Sequence, residues 1–241
     1  DTMTWTFNGQ PWQSNGWLFA VLMWALMTAG GFAAYAIVKP IAVVLIGLSL
    51  RWTSLQYGAS RTGAAAAMFA GPLIVIVFIL ERPQLATFVF TPLVLGLGRR
   101  AMGFGRLQWK WAALTAGAFA LWANLHSGAL FGVLLLASAA LGLLLHERWW
   151  AGERPFPRTL EAGVLVAASG LATLLTPYGF ELWRYSNHVR DVSSAYASEW
   201  WPPWRQDSTV AALTLGLIGA VVLGTLWLRL WRRLDLFVPV V

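Results

Sequence analysis

Between Trp17 and Leu50 the chain carries a single charge, Lys39. As one helix rising about 1.5 Å per residue, this run would far exceed a hydrocarbon core of about 30 Å. It must break, and Gly30-Gly31 is the natural place, because two consecutive glycines are poor helix formers. Two arrangements follow: a helical hairpin, or a half-helix that lies on a bundle and feeds one span. The same apolar character recurs along the chain. Of its 241 residues 58% are hydrophobic and 11% charged, where soluble domains carry about 25% charged residues, and the mean hydropathy is +0.62. An ordinary water-soluble globule is excluded, and the length becomes a count of spans.

A crossing helix needs about 20 apolar residues, within a working range of about 17 to 25. The candidate spans are 31–50, 62–80, 83–97, 111–123, 127–145, 159–175 and 209–228. Two of them, 83–97 and 111–123, are short, and either tilt against neighbours or extend into their flanks. The expected fold is all-α: a polytopic transmembrane helix bundle of about seven spans, with a half-helix over 17–29 on its outer face. All of it forms one transmembrane domain, 1–241.

The net charge is +7, from 17 Lys+Arg and 10 Asp+Glu. The basic residues gather between apolar runs, at Arg51/Arg61, Arg99/Arg100/Arg106/Lys110, Arg148/Arg154/Arg158 and Arg229/Arg232/Arg233. Short groups of this kind read as topology signals and not as the surface stripe of a nucleic-acid binder. No nucleic acid partner is expected, and membrane lipid is. If Trp17–Leu50 crosses once, these loops alternate as cytoplasmic, while 1–16 and 176–208 lie outside. A hairpin would put 1–16 inside.

With no cysteine and three histidines, disulfides, thiol nucleophiles and thiolate metal sites are excluded. The chain shows no metal-ligand spacing, Walker loop, dinucleotide fingerprint or nucleophile elbow, so neither a cofactor nor a metal is expected. It opens at Asp1 without Met or signal peptide and closes in an apolar tail, and further spans are expected on one or both sides.

On the single-crossing topology the unusual polar residues fall on one side: Asp1, Gln10 and Asn15; Glu81 and Arg82; Asn124 and His126; and Tyr178 through Trp204. Each has a plain reading and a sharper one. Glu81-Arg82-Pro83-Gln84 is a tight turn with Pro83 suited to the next helix start; it is either a self-neutralising ion pair or an arginine fork that grips phosphate. Asn124 and His126 interrupt an apolar stretch where a bare turn would use Gly, Pro or Asp. They are either a satisfied helix linker, a phosphate contact or an axial ligand to a pigment metal. The 16 tryptophans suit an interfacial belt, or, at Trp200, Trp201 and Trp204, stacking on a sugar or a prenyl chain. Phe180–Ala197 mixes polar and apolar residues like an interfacial amphipathic helix. Glu199 is either solvated or turned into an outer cavity.

Asp1-Thr2-Met3-Thr4-Trp5-Thr6, Gly9-Gln10-Pro11-Trp12, Trp17-Leu18, Arg82-Pro83-Gln84-Leu85, Trp122-Ala123-Asn124-Leu125-His126-Ser127-Gly128, Pro177-Tyr178-Gly179 and Glu199-Trp200 follow one another in a familiar order. Over nearly its whole length the chain resembles bacterial polytopic membrane proteins similar to glycosyltransferases of the C-type fold, which use polyprenyl-phosphate sugars. The resemblance implies a bacterial cytoplasmic (inner) membrane and transfer of a sugar from a lipid phosphate donor to an acceptor hydroxyl on the outer face, without a metal. It makes Asp1 the general base and assigns the departing phosphate to Arg82 and His126. Asn124 would orient the sugar or His126, Glu199 would bind the acceptor, and Tyr178 and Trp200 complete the substrate-binding set. One departure stands out: Ser14-Asn15-Gly16-Trp17-Leu18 occupies the place where the group has Asn-His-Glu-Trp-Leu. The rival expectation is a non-catalytic accessory subunit packed against partner membrane subunits and contacting lipid, quinone or pigment. Small-residue runs such as Gly63–Ala67 and Ala137–Ala140 permit close helix contacts in either case.

Overall fold

The computed structural model describes residue 14, residues 16–75, 82–103, 106–148 and 157–196, and the isolated positions 212, 216 and 219. Among the described residues the regular structure is helical throughout. The helices are α1 (Trp17–Ala36), α2 (Val38–Gln56), α3 (Arg61–Val75), α4 (Gln84–Ala101), α5 (Trp109–Leu125), α6 (Ala129–His146), α7 (Pro157–Ala172) and α8 (Glu181–Tyr196). Three of them, α1, α2 and α6, are long and apolar enough to cross a membrane. Of the span expected at 209–228 only positions 212, 216 and 219 are described, each helical, and Asp1, Glu199 and Trp200 lie outside the described residues.

The break in the first apolar run falls at Gly31, whose φ of 60° and ψ of −149° leave the helical region. An L side chain is strained at that φ and glycine is not, so the double glycine kinks the run inside α1, before α2 begins at Val38. Before it, Phe19 of α1 shares a buried cluster with Ala42 and Ile46 of α2 and Leu85 of α4. The first turns of α1 therefore lie near the start of α4 and the first half of α2. Elsewhere α1 is largely bare, with Trp24 69% and Phe32 79% exposed.

The chain divides into two compact units, Asp1–Trp183 and Arg184–Val241. In the first, α2 and α4 run in the same direction. Thr53 donates its hydroxyl to the Pro92 carbonyl at 2.6 Å, and, farther along both helices, Arg100 Nε donates to Gln56 Oε1 at 2.8 Å. The core is built on Trp122 of α5, fully buried and stacked on Phe90 of α4 (5.9 Å between centroids) and on Phe119 one turn earlier (5.7 Å). Val94, Ala129, Leu136 and Leu182 close round it. Close fit and dispersion act between these side chains. Of the second unit, the described part is the remainder of α8, a segment rich in polar residues, and the helical positions 212, 216 and 219.

Two ends of the first unit follow from this packing. At one, the linker between α5 and α6 meets the starts of α1 and α4 and the segment after α7. At the other lie the ends of α2 and α4, the starts of α5 and α7, and the basic residues Arg99, Arg100, Arg106 and Lys110. There Arg100 lies 4.7 Å from the Trp111 ring centroid and Lys110 5.7 Å, which places both cations over an aromatic face.

Candidate functional site

The linker end is organised by two residues of the 124–128 segment. Asn124, in the last turn of α5, uses both amide hydrogens: one to the Ala120 carbonyl of its own helix and one to Leu175 after α7, each at 2.8 Å. Its Oδ1 accepts the indole N–H of Trp17 at 2.8 Å. One side chain thus ties α1, α5 and the end of α7 together. Both hydrogens of its side-chain amide are thereby used.

His126 is built differently. The backbone N–H of Gly128 points at its Nδ1 (3.0 Å), as does the Thr87 hydroxyl (2.8 Å), which in turn accepts the Trp122 indole N–H at 3.3 Å. A backbone amide can only donate, so Nδ1 is the bare nitrogen, the Thr87 hydroxyl donates to it, and the ring proton sits on Nε2. Burial pushes the imidazole pKa down to about 4, so the ring is neutral at pH 7. Protonating Nδ1 would set its N–H against that of Gly128. Glycine at 128 is required by close approach: a Cβ there would collide with Thr87 Oγ1 and lie 2.6 Å from His126 Nδ1. His126 therefore presents a neutral, oriented N–H donor and not a cation, and Nε2 has no hydrogen-bond partner among the described residues.

The remaining described candidates border this pair. Arg82 is exposed in the turn that opens α4, with its carbonyl accepting the Leu85 N–H at 3.0 Å. A Cβ on Gly16 would lie 2.9 Å from both the Pro83 ring and the Leu125 carbonyl oxygen, so the chain entering α1 abuts both the Arg82-Pro83 turn and the linker. Tyr178 accepts the Ser14 N–H on its hydroxyl at 3.4 Å. The turn bearing Tyr178 is held in place by its sequel: Leu182 is buried, and the Trp183 indole donates to Thr173 Oγ1 at 3.1 Å. The structure thus brings Arg82, Asn124, His126 and Tyr178 to one end of the first unit, bordered by Ser14, Gly16 and Trp17. Among the described residues no three His, Cys, Asp or Glu side chains gather closely enough to share a metal ion.

Sequence reasoning missed Thr87, whose hydroxyl bonds to His126 Nδ1, and the role of Trp17 as the donor to Asn124. The available signals were weak: Thr87 is one of two hydroxyls in an apolar run, and Trp17 is one of 16 tryptophans. Compared with family models, with curated proteins and with solved structures, the chain gives no match.

Proposed function

We propose that the chain is a glycosyltransferase-like integral membrane protein of about seven spans. It transfers a sugar from a polyprenyl-phosphate donor to an acceptor hydroxyl on the outer face of a bacterial cytoplasmic membrane. The observation that supports this reading most is that one bundle end holds both an exposed arginine turn and a neutral histidine whose proton sits on Nε2, a nitrogen with no partner among the described residues. In the proposed reaction Arg82 supplies positive charge to the phosphate as it leaves. His126 Nε2–H adds a hydrogen bond that strengthens as charge develops on the phosphate oxygens, the form of stabilisation that lowers a barrier. Asp1, on the segment preceding Ser14, takes the acceptor proton. Tyr178, Glu199 and Trp200 belong to the substrate-binding set, and Asn124 holds the scaffold.

The test is native mass spectrometry on the gently solubilised full chain, looking for a retained polyprenyl phosphate and for partner chains. Retention in the wild type, weakened at least tenfold by Arg82→Ala and by His126→Ala, is the expected result. Asp1→Asn should abolish transfer while leaving lipid retention and melting unchanged. Unchanged turnover in Asp1→Asn removes the base.

The second reading, a non-catalytic subunit of a larger membrane assembly, is favoured by α1, whose exposed Trp24 and Phe32 would suit a neighbouring subunit as well as lipid. Stoichiometric partner chains without prenyl phosphate in the same spectra would select it.

A further inference from the structure

At the arginine end a half-open groove of about 670 Å³ lies between the loop that enters α5 and the first turns of α7. Arg106 and Glu161 both line it, and among the described residues neither has a hydrogen bond or an ion pair. The groove thus offers one cation and one anion, each with its bonding capacity unused. Trp109, also on its wall, is 70% exposed, and indoles are favoured at a headgroup boundary.

The apolar part of the wall continues beyond the groove. Leu160 and Val164 line it and are 65% and 46% exposed, and Leu171 farther along α7 is 66% exposed. With exposed Ala167 they fall at i, i+4, i+7 and i+11, one stripe down a single helix face. A chain seated on that stripe would have its polar end in the groove between Arg106 and Glu161.

We infer that this groove binds a zwitterionic phospholipid with a primary ammonium headgroup, of the phosphatidylethanolamine class. Arg106 takes the phosphate through its planar fork, Glu161 accepts the ammonium N–H groups, and an acyl chain lies along Leu160, Val164, Ala167 and Leu171. A choline headgroup has the same charges and no N–H to give Glu161; a glycerol headgroup has the phosphate and no cation. The site is at the opposite end of α5 from His126 and stands whether or not the transferase reading does.

The experiment adds lipids back to the delipidated full chain and reads bound species by native mass spectrometry. The wild type should retain phosphatidylethanolamine about tenfold over phosphatidylcholine, the size expected for a charge-assisted hydrogen bond. Glu161→Gln should abolish that preference while total lipid binding and the melting temperature stay the same. Arg106→Gln should weaken both lipids and phosphatidylglycerol alike. Equal retention of the ethanolamine and choline lipids by the wild type overturns the proposal, as does an undiminished preference in Glu161→Gln. Competition by soluble phosphoethanolamine as effective as that by the lipid overturns the lipid as occupant, because the α7 stripe would then contribute nothing.

Discussion

At each end of the first unit one polar residue is spent in a way opposite to its counterpart. At the linker end the Trp122 and Thr87 side chains pass hydrogen bonds along a line that ends on His126 Nδ1, and the other ring nitrogen, Nε2, has no partner among the described residues. At the arginine end Glu147, 2% exposed, accepts the Arg158 N–H at 3.2 Å on one oxygen, and the Thr159 N–H at 3.1 Å and hydroxyl at 2.5 Å on the other. Those donors sit in the first turn of α7, where backbone N–H groups have no intrahelical acceptor, and a carboxylate there also faces the positive end of the helix dipole. Arg158 then reaches the Met102 carbonyl just after α4 at 3.0 Å. Glu147 is consumed by structure; His126 is held by structure and left with a hand free. Residues of similar rarity in an apolar chain thus differ in what they have left to offer.

The largest effect that tests this contrast is expected at the consumed carboxylate. Glu147→Ala leaves two backbone N–H groups and a hydroxyl without their acceptor in a buried place, and the loss should be about 2–4 kcal/mol, read as a lowered melting temperature in detergent. Lipid retention at the linker end should change only through that loss of stability. A neutral Glu147→Ala would make the cap dispensable and remove one side of the comparison.

The next effect is a pH dependence. The folded-state pKa of His126 is about 4, and that of an unfolded histidine is about 6.5. Below about pH 6.5 the unfolded chain takes up a proton that the folded chain refuses, so stability falls as the pH drops from about 6.5 to about 4 and is constant above. A shift of this size corresponds to at most about 3 kcal/mol. In His126→Gln the fall attributable to this group should vanish, flattening the melting temperature between about pH 4.5 and 7. A wild-type profile already flat there would mean that the ring is solvated, and the buried N–H···Nδ1 arrangement would fail with it.

Much of this architecture could be read along the chain, and the parts that could not share a cause. The break at Gly31 was legible because helix length against bilayer thickness is one-dimensional arithmetic, and glycine marks where the chain can turn. Helices near 83–97, 111–123 and 127–145 were legible for the same reason, although charged and aromatic flanks extend the first two: α4 runs on through Arg99 and Arg100, and α5 starts at Trp109. The polar cluster at Asn124 and His126 stood out because polar residues are costly in an apolar stretch. The sequence could not divide their labour. Asn124 is spent because Trp17 and Leu175, 107 and 51 residues away in the chain, both arrive at its amide. Glu147 went unremarked because its partners lie 11 and 12 residues on, in the first turn of the next helix.

The smallest effect bears on the most specific point, that α1 is fastened to the linker by a hydrogen bond and not by the bulk of Trp17 alone. Trp17→Phe keeps an aromatic ring and removes the indole N–H; Asn124→Ala removes that acceptor along with the two bonds to Ala120 and Leu175. Side-chain hydrogen bonds between membrane helices average about 0.6 kcal/mol, with a ceiling of about 1.7, so Trp17→Phe should cost about 0.5–1 kcal/mol and Asn124→Ala about 1–2. The informative quantity is the coupling from the double mutant. If the bond fastens α1, the Trp17→Phe cost should shrink by about 0.5 kcal/mol once Asn124 is alanine, because the acceptor has already gone. If the two costs add, Trp17 contributes through its ring, and Asn124 Oδ1 is as available as His126 Nε2. The linker would then present two open polar groups, and Asn124 would return from the scaffold to the substrate-binding set.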